Sequence, residues 1–285
     1  MTAILPERRN LQFYLPKDKI NDWNGCGSNW TQFMNTLSIF FPAGERFFMQ
    51  SVRNYRKQIT DPELKKAVSA FIGQEAFHTR EHEEYNDAMV QAGMPVAEME
   101  QTVVKLLDFL LEKLPKPLLL GVTVALEHLT AMLSDIVLED DRFIRDSDPH
   151  YTALWKWHAM EETEHKGVAY DVFEHVIGKN PKAYAIRCVA FIGANLIFWS
   201  LFYRFYYKMV KSRGEHLSLK GWTTSFRYQF GKRGIFPTLF KDWLSYFKPS
   251  FHPWDVDNSH FLDEAESLLQ QVDEFAAQAK LRVAA

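Results

Sequence analysis

The sequence predicts an all-α chain: a four-helix bundle with additional helices and an irregular, aromatic-rich C-terminal extension. Three observations predict it. The pattern Glu-x-x-His occurs twice in helical stretches, as Glu75-Ala76-Phe77-His78 and Glu162-Thr163-Glu164-His165. Each is preceded by a lone glutamate in an apolar helical stretch, Glu45 and Glu127. No window shows strand alternation or hairpin turn chemistry. The order Glu, Glu-x-x-His, Glu, Glu-x-x-His is the ligand inventory of a dimetal carboxylate centre held inside a four-helix bundle.

Residues 1–29 carry turn-forming clusters and read as an irregular lead-in, and Met1 to Asn10 contains no apolar stretch of the signal-peptide kind. Trp30 to about Lys57 reads as helix with an interruption near Pro42-Ala43-Gly44, or with Pro42 starting a new helix. Asp61-Pro62-Glu63 caps and starts the next, which ends before Gly93 and Pro95. Val96 to Lys113 reads as a connecting helix. Leu118 to Glu139 follows Pro115 and Pro117 and is apolar nearly all round, as a buried helix is. Asp148-Pro149 starts a helix ending at Gly178, and Asn180-Pro181 starts another that runs to Ser212. Residues 214–259 read as irregular, and Leu262 to about Leu281 as a last amphipathic helix. The expected division is lead-in 1–29, dimetal bundle 30–180, and covering helices with the basic aromatic extension over 181–285.

Positions i and i+3 lie roughly 60° apart on a helix, so one Glu-x-x-His presents both side chains to the bundle axis. Two such helices and two single glutamates supply Glu45, Glu75, His78, Glu127, Glu162 and His165. Burying four carboxylates without cations is costly, and carboxylate with imidazole suits iron. Glu161, at i+4 from His165, is the alternative to Glu162. His82 and His158 share these faces, as third nitrogen ligands or as hydrogen-bond partners of ligands. His128 lies about 100° off the Glu127 face.

The stretches Phe41-Pro42-Ala43-Gly44-Glu45-Arg46-Phe47-Phe48, Gln74-Glu75-Ala76-Phe77-His78, Ala125-Leu126-Glu127-His128 and Glu161-Glu162-Thr163-Glu164-His165-Lys166 resemble the ferritin-like di-iron carboxylate superfamily. More narrowly they resemble a bacterial family known as predicted metal-dependent hydrolases, over nearly the whole chain. The superfamily resemblance implies a ferritin-like bundle, two iron ions (or a manganese–iron pair) and oxygen chemistry of the hydroxylase, desaturase or N-oxygenase kind. Extra histidine near the site is similar to some N-oxygenases.

The chain has 285 residues, a net charge of −3, and 15% aromatic residues. Cys26 and Cys188 form no metal or disulfide spacing, which fits a reducing, cytoplasmic compartment. From Arg204 to Lys248, ten basic residues face Glu215 and Asp242, a local +8. With Phe236, Leu239, Phe240, Trp243, Leu244 and Phe247 at helical spacing, this block suits a contact through 204–248 with the inner face of an anionic membrane, or a solvated face over a packed core. No RNA motif accompanies it, and no nucleic acid is expected. Cys188 to Tyr203 is a sixteen-residue uncharged run, short of a spanning helix of ~20 residues, and reads as a buried helix covering the bundle in preference to the alternative, a membrane span. His252-Pro253-Trp254-Asp255 with Asp257 and His260 reads as a structural loop closing over the site, not a ligand set. The expected function is O2 activation for oxidation of an apolar, lipid-like substrate, with an electron donor as partner; Glu45, Glu75, Glu127 and Glu162 form its catalytic carboxylate set. The alternative is hydrolysis by metal-activated water. Iron storage fits the long extension poorly, and a homodimer is compatible with the pattern.

Overall fold

Side chains that satisfy the first backbone donors set the helix starts. The computed structural model describes residues 4–284, so the first three residues of the lead-in and Ala285 lie outside it. The α-helices in chain order are Ser28–Ser38 (α1), Phe41–Arg53 (α2), Pro62–Gln91 (α3), Val96–Lys113 (α4), Lys116–Glu139 (α5), Pro149–His165 (α6), Val168–Ile177 (α7), Pro181–Ser212 (α8), Leu219–Phe230 (α9), Ile235–Ser245 (α10) and Ala265–Ala284 (α11). No strand occurs among the described residues. The Asp61 carboxylate accepts from the N–H groups of Glu63 (2.8 Å) and Leu64 (3.3 Å) to start α3. Asp148 accepts from His150 N–H (3.0 Å) to start α6, and Asn180 from Ala183 N–H (3.0 Å) to start α8. Each cap is followed by a proline, whose missing N–H costs nothing in a first turn.

Of the two readings of Trp30 to Lys57, the second holds: the helix breaks at Ile39-Phe40 and Pro42 sits in the first turn of α2. Two expectations are corrected. The helix expected to run from Pro149 to Gly178 is interrupted at Lys166-Gly167, directly after His165. The stretch 214–259 is not irregular throughout: it contains α9 and α10.

Helices α2, α3, α5 and α6 close a ring, with α2 and α6 each packed on both α3 and α5. Outside the ring, α8 lies along α5 and α1, α10 packs on α5, and α11 packs on α6. Two apolar clusters fill the interior, one containing Trp30, Phe33, Met132 and Trp157, the other Phe47, Phe71, Ala125 and Val168. Along each ring helix the predicted ligands fall at the seam: Glu45 between Ala43 and Phe47, Glu75 and His78 between Phe71 and Tyr85, Glu127 between Ala125 and Leu129, and Glu162 between Met160 and Val168. The fold thus buries a band of charge between two greasy ends.

Candidate metal centre

Glu45 (α2), Glu75 and His78 (α3), Glu127 (α5), and His158, Glu162 and His165 (α6) converge in that band, all buried. Their ligand atoms form three overlapping groups, each drawn together within 4.8 Å: Glu45–His78–His158, Glu75–His78–Glu162 and Glu75–Glu127–His165. Glu162 straddles the centre. Its Oε1 lies 3.2 Å from His158 Nε2 and 3.9 Å from His78 Nδ1, while its Oε2 lies 3.3 Å from His165 Nε2. His165 Nε2 also lies 3.3 Å from Glu75 and 3.6 Å from Glu127. Thr79 and Thr130 hydroxyls donate to Glu45 Oε2 (2.8 Å) and Glu162 Oε2 (2.6 Å), steering two of the carboxylates.

Hydrogen bonds on the far side of each imidazole decide which nitrogen faces the centre. His78 Nε2–H donates to Glu161 Oε2 (3.1 Å), leaving Nδ1 bare. His165 Nδ1–H donates to Gln74 Oε1 (3.1 Å), leaving Nε2 bare. Gln74 donates in turn to Glu164 (2.8 Å), and Arg9 bridges Glu164 (2.6 Å) and Glu161 (3.4 Å), so one guanidinium backs both motif histidines. The third imidazole is set by a longer relay. Asn86 Nδ2 donates to Ser38 O (3.1 Å) and Glu100 (2.8 Å), so its Oδ1 must accept from the Ser38 hydroxyl (2.7 Å). Ser38 Oγ then accepts from His82 Nδ1–H (2.8 Å), and His82 Nε2 accepts from His158 Nδ1–H (2.9 Å). The outcome is a bare His158 Nε2 at the centre. Of the two roles expected for His82, ligand or hydrogen-bond partner of a ligand, the structure gives the second: both ring nitrogens are occupied and it stands behind His158.

Burial pushes the Glu45, Glu75 and Glu127 carboxyls well above the ordinary carboxylate range, and neighbouring glutamates push the same way. Burial presses Glu162 upward too, but in the metal-free chain a proton on the face of His165 or His158 turned toward it, where a cation would otherwise stand, outweighs burial and holds this carboxyl well below that range. Burial, and then His158, hold the His78 and His82 imidazoles well below their usual value, so both are neutral. Among the described residues, eight buried ligand-type atoms of Glu45, Glu75, His78, Glu127, His158 and His165 have no hydrogen-bond partner. A folded chain leaves so many buried acceptors together only where something else satisfies them. Oxygen and imidazole donors in this number fit two divalent cations.

An apolar cavity of about 290 Å³ leads to the centre. Glu45, Thr130 and His158 line its inner end, and Phe33, Phe40, Leu126 and Leu129 form part of its wall.

Other predicted residues go elsewhere. His128 packs among Phe191, Tyr246 and Phe251, where burial lowers it to about 4. His252 binds Asp171 (3.0 Å). Cys26 and Cys188 are both free. Sequence reasoning missed Arg9, Ser38, Gln74, Thr79, Asn86 and Thr130. Thr79 and Thr130 were within reach of pattern, at i+4 from Glu75 and i+3 from Glu127, but Arg9 and Ser38 come from outside the motifs.

The family model for predicted metal-dependent hydrolases matches residues 7–257. No curated protein and no solved structure matches the chain. The matched span holds Arg9, every residue of the centre, the cavity walls and the loop after α10 as far as Asp257, and the chain belongs to the family of predicted metal-dependent hydrolases.

Proposed function

We propose that the protein is a dimetal enzyme that oxidises an apolar substrate with O2. The observation that carries the dimetal part is Glu162, whose two oxygens face different histidines. His78, His158 and Glu45 would hold one ion and His165 and Glu127 the other, with Glu75 and Glu162 between the two groups. A ferritin-like bundle is the topology this assignment implies. Two iron ions, or a manganese–iron pair, supply electrons and Lewis acidity for oxidation of a C–H or N–H bond, whereas redox-inert ions supply activated water for hydrolysis.

The cavity wall seats an apolar chain and excludes water from the inner end at Glu45 and His158. Thr130 keeps Glu162 Oε2 oriented, and Glu161 holds the His78 Nε2 proton away from the centre. Glu164 is paired with Arg9 (2.6 Å), and Glu161 is turned to His78 and Arg9 rather than to the cavity.

The family description speaks for a second reading, hydrolysis of an apolar ester or amide, and backs it more directly than it backs oxidation. The oxidative reading rests on the donor set and the apolar cavity. Protein loaded anaerobically with Fe(II) and mixed with O2 separates them. Oxidation predicts two irons per chain, rapid O2 uptake and a new near-ultraviolet absorption. Hydrolysis predicts an unchanged spectrum and metal-dependent cleavage of p-nitrophenyl palmitate that ignores oxygen. In either case Glu75→Ala and His165→Ala lose bound metal; full metal content in both variants would sink the ligand assignment.

A further inference from the structure

Among the described residues, two helices are long and apolar enough to cross a membrane, but they differ in surroundings: the most apolar stretch of α5 is 72% buried and that of α8 only 33%. The inner face of α8 packs through Ala190, Ala194 and Phe202. Its outer face shows Val189 (63% exposed), Ile192 (45%), Leu196 (65%) and Ile197 (43%), a single stripe at helical spacing. The stripe continues sideways through a chain of ring contacts, Trp199 to Phe236 (4.9 Å, edge-on), Phe236 to Phe230 (4.9 Å, stacked) and Phe230 to Phe226 (5.0 Å, tilted). Helix α9 is inverted: it buries Ser225 and Gln229 and exposes Phe226 and Phe230. Helix α10 exposes Phe240 and Leu244. Among these rings stand Arg227, Lys232, Arg233 and Lys241, all exposed. A contiguous apolar patch of this kind is abnormal on a free surface, and aromatic rings mixed with basic side chains match an anionic bilayer interface.

The cavity opens on the same face. Its lining includes exposed Val189 and Ile197 with Gly193 between them, and also the buried Glu45 and His158. Gly193 has open space where a side chain would stand. We infer that the protein seats α8, α9 and α10 on an anionic lipid bilayer and admits an apolar lipid chain from it through the mouth at Gly193. The occupant is lipid rather than a second copy of the chain, because two copies would set like basic blocks against each other, whereas acidic headgroups neutralise them. The entry route deepens the proposed function and rests on its apolar substrate; the docking does not depend on the metal chemistry.

Sedimentation with phosphatidylcholine vesicles, with and without phosphatidylglycerol, tests the docking. Binding should require phosphatidylglycerol, weaken in high salt, and fall at least about tenfold when Leu196→Glu and Phe240→Glu are combined. Both positions are exposed, so thermal stability and metal content should hold. Entry is read as transfer of cis-parinaric acid from vesicle to protein. Gly193→Trp, and independently Ile197→Trp, should block transfer and leave vesicle binding intact. Wild-type protein that ignores vesicles, or a solution dimer that Leu196→Glu dissociates, would overturn the docking. Unimpaired transfer in both tryptophan variants would overturn the route. None of these readouts changes with the outcome of the oxygen experiment.

Discussion

The run Glu161-Glu162-Thr163-Glu164 puts three glutamates to three uses: Glu162 faces the centre, Glu161 receives the His78 proton, and Glu164 anchors Gln74 and Arg9. Pro42 has a comparable reach. It lacks the N–H that Ser38 C=O would otherwise accept, and Asn86 supplies the donor instead (3.1 Å). The same amide fixes the Ser38–His82–His158 relay. Ser38→Ala removes the acceptor that keeps the His82 proton on Nδ1. The proton can then shift to Nε2, which pushes the His158 proton toward the centre. Metal affinity measured by chelator competition should fall about tenfold, and Ser38→Thr should restore it. Arg9→Met releases Glu161 and Glu164 together and should cost about 10–100-fold in the same assay; a change under twofold would show that Arg9 has no part in ligand orientation. The glutamates and motif histidines were legible because i+3 spacing is local geometry. The relay was not, since Arg9, Ser38 and Asn86 meet the histidines only through the fold, and spacing alone left His82 and His158 equivalent.

Among the elements, boundaries written in capping chemistry were legible, as at Asp61-Pro62 and Asn180-Pro181. The break after His165 was not, because its cause is tertiary. Lys166 Nζ leaves the helix line to donate to Val256 O (2.8 Å) and Asn258 (2.6 Å) and to sit over the Trp254 ring. At Gly167 a Cβ would stand 2.8 Å from Trp254 Nε1. Gly167→Ala should therefore cost ~1–3 kcal/mol by overpacking, seen as a lower thermal midpoint. Trp254→Ala in the same chain should relieve most of that increment. If Gly167→Ala costs nothing, the loop 252–258 does not clamp the end of α6. Helix α9 escaped the reading for the opposite reason. Its inward face is polar, with Ser225 and Gln229 bonded to the Tyr206 and Tyr203 hydroxyls (2.6 and 2.7 Å), so the apolar stripe that marks a helix as packed points outward.

For the whole molecule, the band of charge between two apolar clusters makes stability depend on what neutralises it. Without metal, Glu45, Glu75 and Glu127 favour their protonated forms, and burial raises Glu161 to about 8. Their folded values exceed the unfolded value of about 4.5, so the folded chain holds more protons than the unfolded one between the two. The stability they contribute is complete below that unfolded value and is lost as pH rises through the folded values. His78 and His82, depressed by burial, work in the opposite direction, but only up to their unfolded value near 6.5. Glu162, also depressed, has finished its change by then. Between pH 7 and about 8 the raised carboxyls therefore act unopposed by these groups, and chelator-treated protein should lose thermal stability as pH rises. Metal-loaded protein should do the reverse, because the ions bind deprotonated ligands and rising pH removes the competing protons. Thermal midpoints of the two forms should diverge across this window. Parallel curves would mean that the buried carboxylates are neutralised by something other than metal, and the dimetal reading would fall with them.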